Sequence, residues 1–271
     1  MKRLPTIQRK TLLYKSDVEY ADYCINHVEG CSHGCRFPCY AMMMKKRFGK
    51  IKTYCDWIKP KLVSNTQELL DKELPRLKGK IHAVHLCFTT DPFMYKQPEI
   101  IDASLKIIER LNKEKIKCVV LTKGLYPKEL VDDKRYSKKN EYGITLISLD
   151  KKFKENFEPG TSPYTSRIKS LKYLSDNGYK TWVSMEPYPT PNLVKQDLKE
   201  ILNSIKFVEK IIFGKLNYNV KSTQFKESDE FYEECSKIVK DFCKKNNIKC
   251  HIKYGTRKKD NKRTRKILLE D

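Results

Sequence analysis

The sequence predicts an α/β fold in which βα units repeat around a parallel sheet. Short apolar runs rich in Val, Ile and Phe alternate with longer segments whose apolar residues recur at helical spacing. At 271 residues, 39 % of them hydrophobic, the chain can also bury one large core, and α/β barrels commonly reach this size as one domain. Residues 1–20 read as a lead segment, 21–255 as the main domain and 256–271 as a basic tail.

About seven strands are expected. The first leads into a cysteine loop near "YCINHVEGC"; the others are Ile81–Phe88, Lys117–Thr122, Gly143–Leu149, Thr181–Pro187, Lys210–Leu216 and a short Lys249–Tyr254. Helices fill the gaps: "SNTQELLDKEL", capped by Ser64 or Asn65; a long one from Pro98; "SPYTSRIKSLKYLSDNG", ending at Gly178; and one from Ser228. Proline near the first turn and glycine just past the last are start and stop signals.

No stretch approaches the length of a membrane span, and "MKRLPTIQRK" lacks the apolar segment of a secretory signal, so a cytoplasmic protein is expected. Ten scattered cysteines without an export signal point to reduced thiols or metal ligands rather than a disulfide framework. The net charge of +22 suits nucleic acid, but lysine outnumbers arginine 45 to 11, which fits a solvated lysine surface as well. The one dense cluster is Arg257 to Lys266, "RKKDNKRTRK".

"EGCSHGCRFPCYAMMMKKRFG" places Cys31, Cys35 and Cys39 on one short loop. Three thiolates can cap three corners of a four-iron cube and leave the fourth iron open. Gly30 and Gly34 permit close backbone approach, and Pro38 stiffens the last leg. Zinc is the alternative, with Cys24, His27 or His33 as a fourth ligand, and three free buried thiols are another. In a βα architecture the loops after the strands converge on one mouth. Those loops carry Thr89, Thr90 and Asp91; Thr122 and Lys123; Ser148 and Asp150; Glu186; and Lys215 and Asn217. Met42, Met43 and Met44 read as helix packing.

The loop resembles that of the radical S-adenosylmethionine (SAM) superfamily, in the branch containing spore photoproduct lyase. "TTDPFMYKQPE", "LTKG", "SLD", "FEPGTSPYTSRI" and "SMEPYPTPN" match that branch in type and order. The resemblance runs from about Tyr23 to Tyr254 and implies a partial (β/α)6 TIM-type barrel with a short C-terminal extension. One feature departs from it: the usual spacing is C-x3-C-x2-C, whereas Pro38 lengthens the second gap here.

The resemblance implies a [4Fe-4S] cluster held by Cys31, Cys35 and Cys39, with SAM chelated by the open iron and cleaved to a 5'-deoxyadenosyl radical. It assigns Lys123 and Ser148 to the methionyl carboxylate, Thr90 and Asp91 to the ammonium, and Tyr40 to the adenine. Arg167 is either a further cofactor contact or an ion-pair partner of Glu158. An electron donor such as flavodoxin or ferredoxin is implied, and no membrane.

Glu186, Lys215 and Asn217, with Tyr188, Tyr218, Trp57 and Tyr95 nearby, would suit a purine-like heterocycle. The size, the altered spacing and "FGKLNYN" resemble the queuine lyase group of this branch. That implies a lyase acting on a modified 7-deazapurine base, queuine, to release 7-aminomethyl-7-deazaguanine. The alternatives are a related lyase on DNA or RNA, and a non-catalytic zinc-stabilised RNA-binding module.

Overall fold

The structure, a computed structural model, describes residues 3–17, 20–77 and 79–258, so nearly all of the basic tail lies outside the described residues. The chain runs β1 (Thr6–Ile7), β2 (Leu13–Lys15), β3 (Tyr23–Ile25), β4 (Val28–Glu29), α1 (Tyr40–Arg47), α2 (Tyr54–Trp57), β5 (Lys61–Val63) and α3 (Thr66–Leu77). It continues through β6 (Ala83–Leu86), α4 (Pro98–Lys113), β7 (Lys117–Thr122), a 3-10 turn (Lys128–Val131), β8 (Glu141–Thr145), α5 (Lys151–Phe157) and α6 (Tyr164–Asp176). Last come β9 (Lys180–Tyr188), α7 (Leu198–Ser204), β10 (Lys210–Lys215), α8 (Val220–Thr223), α9 (Ser228–Lys245) and β11 (Lys249–Ile252).

The seven expected strands are β3, β6, β7, β8, β9, β10 and β11, which lie side by side in chain order and all parallel. β2 adds antiparallel to β3 at one edge, and β11 forms the other, so the sheet is an open, partial barrel. A three-stranded sheet, β1-β5-β4, covers one end.

Alternation along the strands gives the sheet two faces. Cys118 and Val120 of β7 join the large core shared with the helices, while Val119 and Leu121 point to the inner face with Ala83, Trp182 and Ile212. α4 buries Ile100, Leu105, Ile107, Ile108 and Leu111 on one stripe, with Pro98 in its first turn. At about 1.5–3 kcal/mol for each fully buried aliphatic side chain, such stripes hold the helices on the sheet.

Several details differ from the sequence expectation. β8 starts at Glu141 and ends at Thr145, so Leu146 to Leu149 belong to the loop that follows. Ser64 and Asn65 do not cap α3 with their side chains. Ser64 Oγ donates to the Ile7 carbonyl (3.3 Å), and Asn65 pairs with both backbone groups of Arg9 (3.1 and 2.9 Å). Both residues thereby fasten the lead segment. α1, which carries Met42, Met43 and Met44, has no fully buried residue; Met42 and Met44 are half-buried and Met43 is exposed. No helix among the described residues is long and apolar enough to cross a membrane.

Candidate active site

The cysteine loop leaves β4 and is held in place by backbone bonds. Cys31 N donates to the Trp57 carbonyl (2.8 Å), Arg36 N to that of Phe157 (2.8 Å), and Gly160 N to that of His33 (3.0 Å). Gly30 turns the chain at φ +81°, and a Cβ there would lie 2.8 Å from the Trp57 oxygen. A Cβ on Gly160 would lie 2.1 Å from the Ser32 oxygen, so only glycine lets the α5–α6 connection press against this loop. Cys39 is the N-cap of α1, which puts its sulfur at the positive end of that helix. The longer gap made by Pro38 therefore ends at a helix start.

Two buried charge groups stand behind the loop. Asp91 Oδ1 accepts from the Phe93 amide (2.9 Å) and the Thr122 hydroxyl (2.6 Å); Oδ2 accepts from the Lys123 amide (2.7 Å) and faces His33 Nδ1 (3.3 Å). Burial alone would raise the Asp91 carboxyl, but His33 and these donors outweigh it and hold it below the usual range. Glu158 lies between Lys123 Nζ (2.6 Å) and Arg167 (3.7 Å), with Glu158 and Arg167 fully buried. Burial would raise Glu158 too, and the two cations bring it below its ordinary value. Lys123 Nζ also sits 3.9 Å from Cys35 Sγ and 4.4 Å from the centre of the Phe37 ring.

The three cysteines are free and line one cavity of about 480 Å³. Burial, together with Asp91 and the neighbouring cysteines, pushes the Cys31 thiol well up. Burial pushes Cys35 up to about 12 against the pull of Lys123. Thiolates at such positions require cationic partners, which the Lys123 ammonium provides and iron would provide.

The fourth ligands expected for zinc are committed elsewhere. His33 Nε2 accepts from the Tyr95 amide (2.8 Å) while its Nδ1 faces Asp91. His27 Nε2 meets Ser104 Oγ (2.8 Å) and its Nδ1 meets Cys87 Sγ (3.4 Å). Cys24 lies on β3, 4.0 Å from the Asn26 amide nitrogen, and is not in the cavity wall. Three thiols and no more face the cavity from this loop, which fits a cube with one open iron.

Of the sequence-predicted residues, the structure gathers Tyr40, Thr90, Asp91, Lys123, Glu186, Lys215 and Asn217 with the cysteines around the cavity. Ser148 is fully buried outside that wall and accepts from the Asp150 amide (3.0 Å). Asp150 itself caps α5 by accepting from Phe153 N. Arg167 is outside it as well, its guanidinium donating to the Ser162 and Thr145 carbonyls and pairing with Glu158. Trp57 and Tyr218 line the cavity, whereas Tyr188 packs in the outer core against Phe213 and Phe231. Tyr188 was expected beside the substrate; a register shift at the end of β9, where Met185 faces Phe213 but Tyr188 faces Lys215, breaks the alternation that puts Ser184 and Glu186 in the cavity wall and turns Tyr188 to the outer core. Tyr95 is also outside the wall.

Sequence reasoning missed Tyr20, His85, Thr145, Ser184 and Lys253, all of which line the cavity. Lys253 follows β11 directly and pairs with Glu186 (3.4 Å), but the strand expected from the sequence runs on to Tyr254 and hides it from the rule that loads strand ends. His85 and Ser184 lie inside their strands, where that rule does not look, and Thr145 ends β8 inside the longer apolar run expected there.

A family model for the radical SAM superfamily matches residues 25–205. The chain belongs to that superfamily. Radical SAM enzymes use a [4Fe-4S] cluster and SAM, which agrees with the three-thiol loop. The chain is 29 % identical over 218 residues to an uncharacterized protein of Acidianus two-tailed virus, covering 75 % of this chain and 69 % of the relative. It is 25 % identical over 235 residues to an uncharacterized protein of Methanocaldococcus jannaschii, covering 86 % and 85 %. Among solved structures, spore photoproduct lyase with bound AdoMet and dinucleoside spore photoproduct superposes with a TM-score of 0.67, at 13 % identity, over 92 % of this chain and 81 % of that one. A second structure of that lyase, with the dinucleoside alone, gives 0.66, at 16 % identity and 92 % and 80 % coverage. This likeness is one of fold, and it supports the partial radical SAM barrel.

Proposed function

We propose that this radical SAM enzyme is a lyase acting on a small modified nucleobase, converting queuine to 7-aminomethyl-7-deazaguanine by breaking a carbon–nitrogen bond. The observation that carries this reading is the composition of the cavity. The cysteine trio shares one small-molecule-sized space with a carboxylate (Glu186), an amide (Asn217) and the rings of Tyr20, Trp57 and Tyr218. Such groups stack on a purine-like ring and exchange hydrogen bonds with its edge. When bound, the cluster and SAM supply a 5'-deoxyadenosyl radical for hydrogen abstraction.

The protein's own residues position and shield that chemistry. Cys31, Cys35 and Cys39 would hold three irons. Lys123, screened from water beside Phe37, offers its ammonium where the methionyl carboxylate is expected, in competition with Glu158. Thr90 remains available to the SAM ammonium, and Tyr40, exposed at the start of α1, to the adenine. Asp91, whose oxygens already meet four partners, acts as the bracket joining the β6 and β7 loops to His33. Ser148 and Arg167 support the loops behind the wall. We place the enzyme in the cytoplasm, where a flavodoxin or ferredoxin would reduce it.

Reduced, reconstituted enzyme given SAM and queuine is expected to yield 7-aminomethyl-7-deazaguanine and 5'-deoxyadenosine. Formation of 5'-deoxyadenosine with intact queuine rejects the substrate and retains the chemistry. A second reading, a lyase on a photoproduct in DNA or RNA, is favoured by the net charge of +22 and by the exposed rings of Tyr40, Phe88 and Tyr218 at the cavity. It predicts salt-dependent oligonucleotide binding that weakens when residues 257–271 are deleted.

A further inference from the structure

One part of the cavity wall is built from inward-facing residues of three strands. His85 of β6, Thr145 of β8 and Ser184 of β9 are 5 %, 5 % and 2 % exposed, and all three line the cavity. Thr145 and Ser184 are register partners on adjacent strands. The Nδ1 of His85 has no hydrogen-bond partner. A buried polar atom without a partner is uncommon in a native fold and marks a place where something else supplies the bond.

We propose that this wall reads the polar edge of the substrate, and that His85 is a specificity-determining residue whose ring hydrogen-bonds directly to a planar nitrogen heterocycle. The inference rests on the nucleobase reading above and adds to it the residue that recognises the base.

Three features agree. The imidazole is held in orientation by Tyr20 (centroids 5.2 Å) and by the edge-on ring of Phe88 (6.3 Å), so its polar edge has a fixed direction. Burial lowers its pKa to about 4 against a backbone hydrogen bond at Val119, and the neutral ring keeps one nitrogen for a ligand. A neutral ring suits a neutral heterocycle, whereas a phosphate would call for a cation. Finally, Thr145 and Ser184 place two hydroxyls on the same wall, so that the ring edge would meet further donors and acceptors beside His85.

The test uses reconstituted holoenzyme with SAM present and queuine as the probe, with cluster absorbance verifying that each variant is intact. His85→Phe keeps a ring but removes both nitrogens, and is expected to weaken queuine binding at least tenfold in calorimetry. His85→Asn, whose amide falls near the position of Nδ1, should recover part of that loss. A crystal of the wild-type complex should show the base within hydrogen-bond distance of His85, and this measurement decides the matter if His85→Phe loses its cluster. Wild-type protein that binds queuine while His85→Phe binds it equally well, or a complex with the base away from this wall, overturns the inference alone. Wild-type protein that binds no queuine overturns the parent reading and this inference with it.

Discussion

The cysteine wall and the strand wall of the cavity differ in whether a counter-charge is built in beside their buried polar groups. Around the cysteines, charge is compensated within the protein: Asp91 meets four partners, and Glu158 lies between Lys123 and Arg167. On the strand wall, His85 keeps an unpartnered nitrogen. The first arrangement fixes a site before any ligand arrives, which a cluster and SAM need if their geometry is to be the same in every turnover. The second leaves bonds for a ligand to complete, which is how a site selects among substrates.

The largest test of that contrast is Cys35→Ala. With only two thiols left on the loop, 5'-deoxyadenosine formation should fall to background while circular dichroism shows the fold retained. Retention of a cluster and of SAM cleavage would mean that another side chain stands in, and the three-thiol argument would fail. Next in size is Glu158→Gln, which leaves Lys123 and Arg167 buried without a full counter-charge. Breaking a buried pair in this way costs about 3–5 kcal/mol, readable by denaturant unfolding of the cluster-free protein. A loss below 1 kcal/mol would show that the cysteine wall is not preorganised by this triad.

The two walls also differ in how far the sequence revealed them. Cys31, Cys35 and Cys39 are close in the chain, so their spacing alone announces a metal loop. Lys123, Glu186 and Lys215 follow apolar runs and were found from that position. Most of the parallel strands were legible for the same reason, because a buried parallel strand reads as a continuous apolar run, whereas the edge strand β11 has no fully buried residue. His85, Thr145 and Ser184 are single polar residues inside such runs, and nothing local distinguishes an inward one from a tolerated core polar group. Only the register that aligns β6, β8 and β9 brings them to one surface. Strand β2 and the β1-β5-β4 sheet were missed because two- and three-residue strands carry no period.

A third test concerns acid. His27 and His85 are lowered to about 3 and about 4, in both cases chiefly by burial. Each is neutral in the fold, while the unfolded chain takes up a proton near pH 6.5. Their contribution to stability is therefore complete above pH 6.5 and declines as pH falls toward 4 and 3. Asp91 and Glu158, held below their ordinary values, add a further loss that begins only near pH 4. The melting temperature should thus start to fall below pH 6.5, on the order of 1 kcal/mol per pH unit for each ring. His85→Phe should flatten part of that slope. A melting temperature constant from pH 7 to 5 would contradict the burial of both rings.

The smallest effect is expected at Lys253, whose ammonium pairs with Glu186 at 3.4 Å and lies 5.2 Å from the centre of the Tyr20 ring. Both members of the pair retain access to water, with side chains 22 % and 28 % exposed. Solvent can therefore replace the attraction when one partner is removed, as it cannot at Glu158. Lys253→Met keeps the apolar stem over Tyr20 and should cost no more than about 1 kcal/mol in the same unfolding measurement. A cost near that of Glu158→Gln would mean that the strand wall is as fully preorganised as the cysteine wall. In that case the unpartnered nitrogen of His85 would be an isolated packing compromise, since a wall waiting for its ligand has no reason to be rigidly charge-paired.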